Sequence, residues 1–101
     1  MPLNGQDLYI FQMASTGDIK VGRSKHVGKR LKEVQTGCPH PLRMILHVPN
    51  AGHREKEIHR LMSGRHIRKK GEWFAEGALA ELPPDMYEQL DLTQSDWWIS
   101  Q

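Results

Sequence analysis

Leu8-Tyr9-Ile10-Phe11-Gln12-Met13 and Ile19-Lys20-Val21-Gly22-Arg23, joined by Ala14-Ser15-Thr16-Gly17-Asp18, decide the fold. The first run is aromatic and branched, which suits the pleated surface of a strand. The second alternates apolar and polar residues at the two-residue period of a strand. The connector is turn chemistry, with Gly17 available for a positive backbone angle. Five residues are too few for a crossover, so the two strands are expected to pair antiparallel.

Beyond this hairpin, Ser24 offers a cap for a helix running to about Thr36, where Gly37, Pro39 and Pro41 stop it. Leu42 to Val48 reads as a third strand, closed by Pro49. Asn50 is a second cap, for a helix to about Ser63 ahead of Gly64. Gly71-Glu72-Trp73-Phe74 opens a further element, and Pro83-Pro84-Asp85 separates it from an amphipathic segment, Met86 to Leu92. The order predicts one small α/β domain with a short, mainly antiparallel three-stranded sheet flanked by helices. Residues 1–82 form that domain, and 83–101 are expected to pack on it as an acidic C-terminal helix or tail.

With 101 residues and 38% hydrophobic content the core must be small and the surface highly charged. Trp73 and Phe74 are expected inside it, because a small domain needs its aromatics in the core. The lone Cys38 excludes an internal disulfide and fits a reducing compartment. No apolar run approaches the ~20 residues that span a bilayer, and no secretory signal pattern opens the chain. The expectation is a cytoplasmic protein without a membrane partner.

Charge is unevenly distributed. All fourteen lysines and arginines lie between Lys20 and Lys70, where only Glu33, Glu55 and Glu57 oppose them, a net +11. Seven acids and no bases follow. A basic field of this density on a small domain suits a polyanion, since each neutralised phosphate releases bound counterions. Arg65, Arg68, Lys69 and Lys70 form the densest run and would track a phosphate backbone, with Lys20 and Lys29 beside them. The acidic end carries Trp97 and Trp98, which suit a protein partner or self-association.

Projecting the two helices at ~100° per residue sharpens the reading. Val27, Leu31 and Val34 share one side of the first, and Arg30 falls inside their arc. Ile58 and Met62 mark the inward side of the second, and Glu55 and His59 fall among them. An unpaired buried charge is costly, so Arg30 and Glu55 either pair with each other or line a cleft.

Leu8-Tyr9-Ile10, Lys20-Val21-Gly22-Arg23, Arg30, Glu55 with His59, and Gly71-Glu72-Trp73-Phe74, in this order and spacing, resemble a GIY-YIG nuclease domain. The likeness covers residues 7 to 80 and is nearest the compact phage and prokaryotic branch with a Glu-Trp-Phe ending. It implies an endonuclease that hydrolyses DNA phosphodiesters with a single metal. Glu55 would hold Mg²⁺ or Mn²⁺, Arg23 and Arg30 would contact the scissile phosphate, and Tyr9 would act as base. His59 would orient water or serve as an alternative base. Lys20 stands where the wider superfamily has a second tyrosine, which leaves proton abstraction to Tyr9, His59 or a metal-bound hydroxide. The same departure leaves open a non-catalytic nucleic-acid-binding module of this fold, or an interaction protein working through its acidic tail.

Overall fold

The computed structural model of the chain describes residues 5–63 and 73–92. β1 (Asp7–Met13) and β2 (Ile19–Ser24) form the expected antiparallel hairpin, with Tyr9 opposite Gly22 and Phe11 opposite Lys20. Gly17 closes the turn at φ +78°, which a side chain would resist. Its N–H donates to the Met13 carbonyl at 3.0 Å. β3 (Leu42–Val48) pairs with the other edge of β1, also antiparallel. A bulge beside Ile10 and Phe11 breaks the register, so Ile45 and Leu46 both enter one core although they are consecutive.

The sheet has four strands, not three. β4 (Trp73–Phe74) pairs antiparallel with β2, giving the order β3-β1-β2-β4. A two-residue strand has no alternation to read, and its existence depends on β2 offering a free edge. β1 is therefore central and buried on both faces, which is why its five middle residues are all inaccessible.

α1 (Val27–Thr36) covers one face and α2 (Glu55–Ser63) the other. Ser24 does not cap α1: His26 holds the N-cap position without a side-chain cap bond, and the Ser24 hydroxyl accepts the His26 N–H at 3.0 Å instead, because the chain bends at Lys25 before the helix begins. Asn50 caps no helix. It sits at φ 59°, a left-handed conformation that asparagine tolerates, and a 3-10 turn over Gly52–Arg54 leads into α2. After β4, a 3-10 helix over Glu76–Glu81 and the short α3 (Pro84–Tyr87) pack against the α2 side. Met86 is fully buried in that core. Arg54 ties α3 to the α2 entrance, with Nε on Glu57 at 3.1 Å and Nη1 on Asp85 at 3.0 Å.

Among the described residues no buried side-chain nitrogen or oxygen lacks a hydrogen-bond partner. Gln35 donates to the carbonyls of Cys38 and His40 and accepts the Leu42 N–H, so it locks the α1–β3 connection. Gln12 donates to Gly17 and Glu76 and accepts from Arg43, which joins the hairpin turn to the 3-10 helix. Sequence periodicity marks neither glutamine as internal.

Candidate functional site

The end of the hairpin, the face of α1 and the start of α2 enclose an open cleft of 350 Å³ lined by Gln6, Tyr9, Lys20, Gly22, Arg23, Arg30 and Glu55. Tyr9 reaches it because its register partner is a glycine. A Cβ at position 22 would overlap the Tyr9 hydroxyl and ring, with Cε1 only 2.9 Å away. The ring stacks on Phe11 at 4.1 Å and 15° and is 3% exposed. Gly22 thus serves as the bed of the tyrosine.

Glu55 is the first residue of α2, where the positive end of the helix favours a carboxylate. Its Oε1 lies 3.3 Å from Arg23 Nε, with the two side chains 22% and 43% exposed. Gly52 makes this meeting possible. Its N–H donates to the Gln6 carbonyl at 2.9 Å, and a Cβ there would lie 2.8 Å from Gln6 Cβ and 3.2 Å from Arg23 Cβ. Any larger residue would push the turn, and Glu55 with it, away from β2. Gly52 and Gln6 were not legible as site residues; the only signal was a glycine just ahead of an acidic helix start.

Arg30 is 47% exposed at the rim, with Nη1 3.7 Å from Glu33, its neighbour one turn on. Of the two alternatives for Arg30 and Glu55, pairing with each other or lining a cleft, the structure shows the second: both line the cleft, and Glu55 pairs with the strand arginine. A helical projection finds the angle a side chain takes but not its position along the axis. Lys20 completes the cationic lining. Three cations thus face one carboxylate.

His59 is held elsewhere. Its Nε2 donates to the Val21 carbonyl at 2.9 Å, its ring meets Phe74 edge-on at 5.7 Å, and it does not line the cleft. Lys29 is exposed on α1 and is not among the lining residues either. Arg65, Arg68, Lys69 and Lys70 lie outside the described residues, as do Trp97 and Trp98. Among the described residues no three His, Cys, Asp or Glu side chains converge on a common point. Outside the cleft, Asp7 is held below the usual carboxylate range, first by the Asn50 N–H on Oδ1 and then by His47 on Oδ2.

The sequence profile of the T5orf172 domain matches residues 7–96, nearly the whole chain. The chain belongs to the T5orf172 domain family. This corrects the resemblance to GIY-YIG nucleases, since the T5orf172 domain is a different family. The misleading pieces were short: an aromatic tripeptide, a glycine opposite it and an aromatic strand end are what any small sheet of this build requires. T5orf172 domains are of a nuclease-like, DNA-binding type associated with endonuclease-like proteins. No curated protein and no solved structure matches the chain. In this T5orf172 domain no described helix is long and apolar enough to cross a membrane.

Proposed function

We propose that the cleft hydrolyses DNA phosphodiester bonds, with a divalent cation, Mg²⁺ or Mn²⁺, held by Glu55. The observation that carries this reading is the meeting of Glu55, Arg23 and the Tyr9 hydroxyl in one open, solvent-reached cleft whose other charges are cationic. A phosphodiester needs its negative charge neutralised as the phosphorus becomes pentacoordinate, and three cations around one carboxylate supply that field.

The donor set fits a hard cation. The cleft offers carboxylate and hydroxyl oxygens without a histidine or cysteine, and a single carboxylate suits Mg²⁺, which keeps most of its waters. When bound, the cation supplies an acidified water and further charge neutralisation.

The protein's own residues do the rest. Arg23 and Arg30 bind and orient the phosphate, with the forked donors that lysine lacks. Lys20 contacts the strand beside it. Tyr9, fixed between Gly22 and Phe11, holds its hydroxyl where it relays the proton of the attacking water. His59 keeps the α2 helix in contact with β2 through Val21 and acts only as a positioning residue.

The test is a nicking assay on supercoiled DNA with Mg²⁺ or Mn²⁺, comparing wild type with Glu55→Gln. The expected outcome is at least a ~100-fold loss of cutting with DNA binding retained. Equal cutting by both proteins removes Glu55 from the chemistry. A second reading, a binding module without chemistry, draws on the Arg23–Glu55 ion pair, which neutralises the carboxylate without a metal. It predicts cutting by neither protein.

A further inference from the structure

Next to the cleft, and sharing Lys20 and Arg30 with it, runs a wider groove of 910 Å³. Met13, Val34, Pro39 and Trp73 form its apolar walls, and Glu33, paired with Arg30, is the acid on its rim. Trp73 and Phe74 are consecutive residues of β4 and therefore point to opposite faces. Phe74 is fully buried in the α2-side core, whereas Trp73 is turned out toward the groove and stays partly exposed. The expectation that both are core residues holds for Phe74 alone.

We propose that this groove is a base-stacking subsite for an unpaired nucleotide adjoining the phosphate bound in the cleft, with Trp73 as the platform. The proposal rests on the cleft being where the phosphate binds and adds the class of substrate: a single-stranded or locally unpaired DNA segment.

Three observations carry it. The groove adjoins the cleft at Lys20 and Arg30, which line both, so a strand bound at these two cations has access to each. Its lining combines the two cations shared with the cleft, Lys20 and Arg30, with an apolar surface of Trp73, Met13, Val34 and Pro39, which suits a phosphate followed by a flat apolar base. Trp73 is also held in orientation, because it is the register partner of Lys20, whose Nζ stands 5.9 Å from the ring centroid.

A duplex keeps its base faces covered by their neighbours and offers none to the ring, whereas an unstacked base does.

The experiment uses the full chain in chelator, so that strands stay intact, and measures binding to a single-stranded oligonucleotide and to its duplex. Trp73→Ala is expected to weaken single-strand binding by roughly 10- to 100-fold, with Trp73→Phe near wild type and duplex affinity little changed. Single-strand binding by Trp73→Ala equal to wild type overturns the proposal, and so does an equal loss on both substrates. Wild-type protein provides an arm that needs no folded variant, in which an abasic nucleotide is moved along the oligonucleotide. One position is expected to lose affinity by a similar factor; uniform binding at every position overturns the subsite. Cutting is not read here, so failure of the hydrolase reading is visible only in the Glu55→Gln assay.

Discussion

The α2 face and the α1 face of the sheet are both covered, but by very different amounts of apolar side chain. On the α2 face, fourteen buried residues from β1, β2, β3, β4, α2, α3 and the 3-10 segments form one cluster. On the α1 face the apolar cluster among the described residues has three buried members, Tyr9, Phe11 and Val27, with Leu31, Val34 and Met44 partly buried against them. One side is a core, the other a thin lid. At the end of the hairpin Tyr9 and Gly22 form the buried floor of the cleft, Arg23 and Arg30 stand exposed at its rim, and Glu55 reaches in from the α2 end. Stability rests mainly on the α2 face, whereas the candidate chemistry sits at the end of the hairpin, with Tyr9 and Lys20 on the α1 side and Arg23 and Glu55 coming from the α2 side.

The largest expected break in this contrast is Phe74→Ala, which opens a cavity in the thick core. It should cost about 3–5 kcal/mol, read as a fall in the urea midpoint with unchanged slope. Val27→Ala on the thin face should cost only about 1–2 kcal/mol. Equal losses would mean that the two faces share the stabilisation evenly.

Gly22→Ala comes next. The added methyl meets the Tyr9 ring, so a destabilisation of about 1–3 kcal/mol is expected, together with displacement of the hydroxyl from the cleft. Near-UV circular dichroism would report the tyrosine's move, and nicking should fall further than stability does. A variant with wild-type stability and wild-type cutting would show that Tyr9 does not need its glycine bed.

The smallest effect belongs to Asp7, at the β1–β3 end of the sheet. Its folded-state pKa lies below the unfolded value of about 4, so its stabilisation is fully present above that pH. It is lost as pH falls through the lowered folded value. Asp7→Asn should be less stable by under about 1 kcal/mol at pH 7, with the deficit disappearing in acid once the folded-state carboxyl is itself protonated. Urea melts at neutral and acid pH measure this, and a deficit that persists in acid would assign it to packing.

Much of the scaffold was legible because its signals are local. The three long strands declare themselves by branched and aromatic runs between turns, and β3 occupies the predicted Leu42–Val48. α1 follows the 3.6-residue period to its predicted end at Thr36, and α2 follows it through Ser63, the last residue described in that stretch. The two-residue β4, the 3-10 helix over Glu76–Glu81 and the buried glutamines carry no period, since each exists only to satisfy a distant partner. For the cleft, the helical projection marked Arg30 and Glu55, while Tyr9 and Arg23 came only from the resemblance now corrected, and which of the four touch was hidden.

What the amino-acid order determined alone is the set of elements, the basic middle of the chain and the helix faces on which Arg30 and Glu55 lie, because propensity, charge and period act over a few residues. Tertiary structure decided that Glu55 meets Arg23 and not Arg30, that Gly52 and Gly22 are the spaces allowing it, and that Trp73 faces out while Phe74 faces in. Those outcomes depend on how closely separate elements approach, and that distance is set by packing across the whole sheet.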